Sequence, residues 1–139
     1  MFKISRRLDY GIQLMVALAH ENGNQPKPTA KLSQSLNIPL PFLHQIGHTL
    51  MQSGLIKAMP GPRGGLKLNI SPEKISILQI AEVLEGPICL NDCLNATEEC
   101  SHNETCSAKV MWGSLQSRIL DYLGNVNLDD LSKSMTSNN

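Results

Sequence analysis

The chain of 139 residues lacks any apolar run approaching the ~18 residues of a membrane span. It also lacks a glycine-rich phosphate-binding loop, and none of its serines or cysteines has an evident paired base. These absences argue against an integral membrane protein and against an enzyme. With 41% hydrophobic and 17% charged residues, the composition is that of a globular protein, and the length suits one domain with at most a small appendage.

A net charge is also lacking, because 12 Lys and Arg balance 12 Asp and Glu, but the two halves of the chain differ. Residues 1–70 carry eight basic and two acidic side chains, a net charge of +6. Residues 71–139 carry four basic and ten acidic side chains, a net charge of −6. The first half is therefore suited to contact a polyanion such as DNA, and the second is not.

The pair Arg6 and Arg7, followed by the apolar residues 12–19, imitates a secretory signal. Polar residues interrupt this stretch, however, and its apolar residues recur at the spacing of one helix face: Leu8, Ile12, Met15 and Ala19. We therefore expect an amphipathic helix and a cytoplasmic protein with no membrane association. In that compartment the four cysteines stay reduced, which favours a metal site or redox chemistry over disulfides.

The spacing of apolar residues and breakers in the first half predicts three helices. The first runs from about residue 7 to residue 20. The second is capped by Thr29 and ends at Asn37-Ile38-Pro39, because the residue before a proline avoids helical geometry. Pro41 opens the third, which ends near Gly54. Two short helices joined by a tight turn are typical of a helix-turn-helix.

The segments 55–59 and 66–70 flank a turn rich in glycine and proline, and they predict a β-hairpin with Arg63 at its tip. The fold class is therefore mainly α with a small β-hairpin, and residues 1–86 form a winged helix-turn-helix domain. In this fold the second helix of the pair enters the major groove of DNA. The candidate DNA contacts are Lys31, Pro41, His44, Gln45, His48, Thr49, Arg63 and Lys67.

Beyond the hairpin, Ser76 and Gln79 fit a capping box for a helix over residues 77–85. A long helix begins at Ser107 and ends near residue 123, within a segment 107–126 that is apolar over more than one face. Since one apolar stripe would satisfy a small domain, this surplus predicts pairing with a second copy in a homodimer. We expect the Ser/Asn-rich tail 127–139 to be disordered.

The segment 87–106 has almost no large apolar residue but contains Cys93, Cys100 and Cys106, with Cys89 upstream. Thiolates are soft ligands for zinc or iron-sulfur clusters. The cysteine intervals are wider than those of a structural zinc knuckle, which favours a cluster, while zinc and unliganded thiols remain alternatives. His102, between two of the cysteines, is a further candidate ligand.

Five stretches followed by three spaced cysteines resemble the Rrf2 family of bacterial winged-helix regulators: residues 5–11, 43–46, 54–56, 60–68 and 84–87. The resemblance implies a homodimeric transcription factor, such as a repressor, that binds a palindromic operator in double-stranded DNA. It also implies an iron-sulfur cluster on the three cysteines, which reports cluster supply, iron, nitric oxide or redox state. An iron-sulfur electron carrier or scaffold, and a DNA-binding protein with structural zinc, are the alternative functions.

The resemblance further implies a fourth cluster ligand. Members of the IscR type use a histidine three residues after the last cysteine, but this chain has Lys109 there. Members of the NsrR type use an aspartate early in helix one of the other protomer, and Asp9 occupies that position. The expected ligand set is Cys93, Cys100 and Cys106 with Asp9 of the partner subunit, and His102 and Cys89 are lesser candidates. A 4Fe-4S cluster is preferred, with 2Fe-2S as the alternative.

Overall fold

The computed structural model describes residues 3–20, 25–90 and 107–137, with side chains of the last range described as far as Ser134. These ranges contain six α-helices, a two-stranded hairpin and a short 3-10 helix. They are α1 (Arg6–Ala19), α2 (Thr29–Leu36), α3 (Leu40–Gln52), β1 (Ile56–Met59), β2 (Gly65–Leu68), the 3-10 helix (Pro72–Lys74), α4 (Ile77–Glu85), α5 (Ser107–Asn125) and α6 (Leu128–Ser137). The predicted class, mainly α with a small β-hairpin, is confirmed. No helix in the described ranges is long and apolar enough to cross a membrane.

The helix ends follow local capping chemistry. In α1 the Ser5 hydroxyl accepts a hydrogen bond from the Leu8 amide, and in α4 Ser76 and Gln79 form the predicted capping box. Thr29 is not the cap of α2, as predicted, but its first helical residue, and Pro28 occupies the cap position without a side-chain bond. Lys27, the residue before Pro28, pairs with Leu66 of β2. The chain is therefore still held by the hairpin directly before the cap position.

The core lies where α1, α3 and α4 meet the hairpin. Its fully buried side chains are Leu14, Met15, Leu18, Ile38, Leu43, Ile46, Leu50, Ile56, Ile75, Ile80 and Leu128. Gly11 lets α1 approach α4 closely, since a Cβ at this position would lie 2.2 Å from Leu84 Cδ1. The close approach places the first turn of α1 beside the C-terminal end of α4.

The expected disordered tail is wrong over residues 128–137, which form α6. Leu128 is completely buried, and its amide donates to the Ile75 carbonyl at 2.8 Å. Asn127 and Asp130 cap the helix reciprocally, because the Asp130 amide donates to Asn127 Oδ1 at 2.8 Å and the Asn127 amide donates to Asp130 Oδ2 at 3.3 Å. Burial of one leucine and a two-way cap order a segment whose composition alone favours disorder.

Candidate nucleic-acid interface and metal-ligand residues

The turn between α2 and α3 sets the orientation of the second helix. Asn37 ends α2 in the left-handed conformation, with φ of 56°. The following residue, Ile38, is buried, and its carbonyl accepts a 2.6 Å hydrogen bond from the Ser33 hydroxyl. This turn anchors the start of α3 to α2, as a helix-turn-helix requires.

The helix α3 has one buried and one exposed face. Leu43, Ile46 and Leu50 point into the core. The residues predicted to contact DNA lie on the other side, where Pro41, His44, Gln45 and His48 are all exposed. Imidazole and amide groups on an exposed helix face can hydrogen-bond to base edges in a major groove.

Thr49 differs from its neighbours on this helix, because it is half-buried and faces the protein. Its hydroxyl accepts a 2.9 Å hydrogen bond from Arg7 Nη2 and donates to the Gln45 carbonyl at 3.2 Å. The sequence placed Thr49 among the base contacts, whereas the structure gives its hydroxyl intramolecular partners. Thr49 thus links the exposed face of α3 to α1.

The same arginine also holds the end of α4, since Arg7 Nε donates to the Leu84 carbonyl at 3.1 Å. One half-buried guanidinium therefore joins the first turn of α1, the last turn of α4 and the middle of α3. A second contact joins the same two helix ends, between the Ser5 hydroxyl and the Glu85 carboxylate. Sequence analysis missed this junction, because its partners are 42 to 80 residues apart and no local pattern marks them.

The remaining basic candidates for DNA contact lie on the β1–β2 hairpin and on α2. Arg63 is exposed at the tip, in a turn closed by the Gly64 amide and the Gly61 carbonyl at 3.0 Å. Lys67 on β2 is half-buried, and Lys31 on α2 is exposed. The structure therefore leaves Arg63 and Lys31 accessible to phosphate groups or a minor groove.

The base of the hairpin is braced by a third backbone segment. Lys27 and Leu66 exchange two backbone hydrogen bonds of 2.9 Å. Gly65, at φ of 150°, is required here, because a Cβ would lie 2.1 Å from the Lys27 carbonyl oxygen. This bracing ties the wing to the chain that enters α2.

The candidate metal ligands are only partly within the described residues. Cys93, Cys100, Cys106 and His102 lie outside them. Cys89 is exposed and lines a cavity of about 420 Å³ between the N-terminal residues, the segment after α4, and α5. Within the described part of the chain, no three His, Cys, Asp or Glu residues are grouped as a metal site would require.

Asp9 has the accessibility expected of a ligand to a group held by another chain. It lies in the first turn of α1, its carboxylate is exposed, and Oδ2 accepts a 3.0 Å hydrogen bond from Gln13 of the same helix. A carboxylate at the surface can ligate iron without the cost of breaking a buried ion pair. Asp9 is therefore accessible to a group held by another chain, and its role as a ligand stays a prediction, because the three cysteines lie outside the described ranges.

The helix α5 contains no buried residue over its whole length. Val110 and Tyr122 are 72% and 70% exposed, and Met111 is exposed as well. The helix packs on α4 on one side, and Leu90 N donates to Gln116 Oε1 at 2.9 Å. Val110, Met111 and Tyr122 therefore present apolar side chains outward, as an interaction surface would.

Comparison with known proteins agrees with these features. The family model described as "Rrf2: Iron-dependent Transcriptional regulator" matches residues 4–134. The HTH-type transcriptional regulator IscR of Vibrio cholerae is 30% identical over 122 residues, 88% of this chain and 70% of the relative. The structure of CymR (YrzC), the global cysteine regulator of B. subtilis, matches with a TM-score of 0.83 at 29% identity, covering 96% of this chain and 98% of CymR. T. potens IscR matches with a TM-score of 0.79 at 26% identity, covering 96% and 88% of the two chains. These relatives regulate transcription, which confirms both the resemblance found in the sequence and the prediction that the chain is not an enzyme.

Proposed function

Since this chain belongs to the Rrf2 family of transcriptional regulators, we propose that it is a homodimer that binds a palindromic operator with an affinity set by an iron-sulfur cluster. Cys93, Cys100 and Cys106 would hold the cluster with Asp9 of the partner subunit. The observation that carries the DNA-binding part is the exposed polar face of α3 beside a wing with a cationic tip. The family match favours this function over an electron carrier, which would leave that face and wing without a role.

The exposed apolar side chains of α5 support the homodimer. Val110, Met111 and Tyr122 would each lose contact with water if α5 packed against its copy. A twofold dimer presents two copies of α3 to one duplex, with half-sites about 10 base pairs or a multiple apart. The distance between the two copies of α3 then decides which duplexes bind.

The contacts of Arg7 support a route from the candidate ligands to the DNA-binding helix. Asp9 lies two residues after Arg7 on α1, and the cysteine segment begins directly after α4, whose end Arg7 also bonds. A displacement of α1 relative to the end of α4 strains the bond from Arg7 to the Leu84 carbonyl, and the same guanidinium passes that strain to Thr49 on α3. A coupling of ~1–3 kcal/mol through such contacts changes operator affinity about 5- to 150-fold.

When bound, the cluster supplies iron that reacts with oxidants and nitric oxide, and the carboxylate of Asp9 would make one iron more labile than a thiolate would. We prefer 4Fe-4S over 2Fe-2S for the set of three thiolates and one carboxylate. The three cysteines of one protomer and Asp9 of the partner subunit would then fix the position of the two protomers relative to each other.

The test is purification of the full chain without oxygen, followed by absorption and electron paramagnetic resonance spectra and by iron, sulfide and zinc analysis. We expect a coloured protein with iron and sulfide. Asp9→Ala should keep the fold but lose the cluster faster, whereas Glu73→Ala, which removes another exposed carboxylate, should behave as wild type. Cys93→Ala should be colourless. Identical spectra and cluster lifetimes for Asp9→Ala and wild type would remove Asp9 from the site.

Operator binding is measured on a duplex selected from a random library, before and after cluster removal. We expect the affinity to change on removal and to fall steeply with salt. Binding that is insensitive to the cluster would contradict the proposed control while leaving the DNA-binding function intact.

A second candidate is a regulator of cysteine metabolism that has no cluster. The observation that favours it is the likeness to CymR, whose TM-score of 0.83 exceeds the 0.79 of T. potens IscR. Oxygen-free protein that is correctly folded, colourless and free of iron would support this candidate, and stoichiometric zinc would instead support a structural metal.

A further inference from the structure

A cavity of about 630 Å³ opens between α1, α2 and α6. Its volume lies within the ~300–1,000 Å³ typical of small-molecule sites. Most of its wall is apolar, with Ile12 and Val16 from α1, Leu32 and Leu36 from α2, and Leu131 from α6. Such a wall favours a hydrocarbon group over a sugar or a nucleotide, because polar groups buried there would lose their hydrogen bonds to water.

Among the described residues that line this cavity, the basic side chains are those of Lys27 and His20. Lys27 is half-buried, and its Nζ donates a 2.6 Å hydrogen bond to the Ala17 carbonyl, which also belongs to the cavity wall. An ammonium has three donors, of which this bond uses one. No Asp or Glu is among the described residues that line the cavity. The site thus combines an apolar wall with a positive charge that an anionic ligand could neutralise.

From this combination we propose that the cavity binds a small apolar monocarboxylate, such as a medium-chain fatty acid, with its carboxylate on Lys27 and its hydrocarbon chain between α1, α2 and α6. The single negative charge of a carboxylate matches the one lysine among the described residues of the wall. None of the described residues that line this cavity is a candidate cluster ligand, and binding there does not require a cluster.

The position of the cavity would let its ligand act on the DNA-binding elements. Lys27, which would bind the carboxylate, also pairs through its backbone with Leu66 of β2, the stem of the wing. The same wall includes Leu32 and Leu36 of α2, the helix that anchors α3. A ligand in the cavity would therefore affect the position of the β1–β2 hairpin and of the helix-turn-helix.

The experiment is calorimetric titration of the full chain with octanoate and, separately, with 1-octanol, which has the same hydrocarbon length but no charge. We expect octanoate to bind saturably at one molecule per chain and at least about tenfold more tightly than 1-octanol, the fold-change that one charge-assisted hydrogen bond supplies. Binding that does not saturate, or equal affinity for both molecules, would overturn the proposal.

Two variants locate the site. Lys27→Met should weaken octanoate binding about tenfold and leave 1-octanol unchanged, whereas Lys74→Met removes an exposed lysine elsewhere and should leave both unchanged. Ser35→Phe, which adds a ring at an exposed position of the cavity wall on α2, should weaken binding of both molecules without changing Lys27. Circular dichroism establishes that each variant is folded. Octanoate affinity that survives in a folded Ser35→Phe protein would refute the assignment of the cavity.

Discussion

Replacement of Arg7 by methionine should loosen the junction between α1, α3 and α4. The change removes the hydrogen bonds to the Leu84 carbonyl and the Thr49 hydroxyl while keeping an aliphatic side chain of similar length. Bonds from a charged donor contribute about 1.5–3 kcal/mol each when buried. Because Arg7 is only half-buried, we expect a total loss of about 1–3 kcal/mol in the free energy of unfolding. For a chain of this size that loss lowers Tm by about 3–10 °C.

Arg6→Met is the matched control, because it removes the same charge one residue earlier. Arg6 is exposed, and its Nη1 donates to the hydroxyl of Tyr10 on the same helix at 3.3 Å. We expect its unfolding free energy to stay within about 0.5 kcal/mol of wild type. Thermal and urea unfolding of the two variants measure the difference, and equal stabilities would refute the role given to Arg7.

The two variants also separate positioning from contact with DNA. If Arg7 positions α3, Arg7→Met lowers the ratio of operator affinity to non-specific affinity and leaves the salt dependence unchanged. A uniform loss on all duplexes, with a salt slope shallower by about 1, would show instead that Arg7 binds a phosphate. A double-mutant cycle with Thr49→Val should give a coupling energy of about 0.5–1.5 kcal/mol, and strict additivity would contradict the direct bond.

Three further outcomes are expected. Gly65→Ala should lower the free energy of unfolding by about 2–5 kcal/mol, because of strain at positive φ and lost pairing with Lys27. Gly61→Ala, at φ of 102° in open space, should lower it by only about 1–2 kcal/mol. Equal losses in urea unfolding would show that the pairing of Lys27 with β2 is dispensable. Leu128→Ala should cost about 2–5 kcal/mol, and a variant as stable as wild type would show that α6 is not part of the cooperative core. Arg63→Gln should reduce the salt slope of operator binding by about 1, and an unchanged slope would remove the wing tip from the interface.

Local patterns predicted the elements whose determinants are close together in the chain. The helix α4 was predicted to the residue, because Ser76 and Gln79 cap its start and Gly86, at φ of 78°, follows its end. The hairpin followed equally from a glycine- and proline-rich turn between two short apolar segments. In both cases the stabilising groups are within a few residues of one another.

The helix α6 was not predicted, because the Ser/Asn-rich composition of the tail favours disorder and the spacing of its leucines was not taken into account. Leu128 and Leu131 are three residues apart, and Asn127 and Asp130 form a cap at its start. These signals were available, but the start of α6 is also held by the bond from the Leu128 amide to the carbonyl of Ile75, more than 50 residues earlier. A short helix with many serines is stable only where such a tertiary contact exists.

The residues of the candidate site also fall into two groups, those placed by local periodicity and those placed by contacts distant in the sequence. The exposed face of α3 followed from its periodicity, since the buried positions alternate with His44, Gln45 and His48. The inward position of Thr49 did not follow, because its partner is an arginine 42 residues away. The ligand set of the cysteine segment stays a prediction, since Cys93, Cys100 and Cys106 lie outside the described residues.

A small tilt of α5 is magnified toward its first residue. Its C-terminal end is fixed to the winged domain by the bonds from Ile77 N to the Val126 carbonyl and from Leu128 N to the Ile75 carbonyl. Its 19 residues extend about 28 Å at 1.5 Å per residue, so a tilt of about 5° around that end moves Ser107 by about 2.5 Å. A tilt of a few degrees thus becomes, at the residue that directly follows Cys106 in the sequence, a displacement nearly as long as a hydrogen bond.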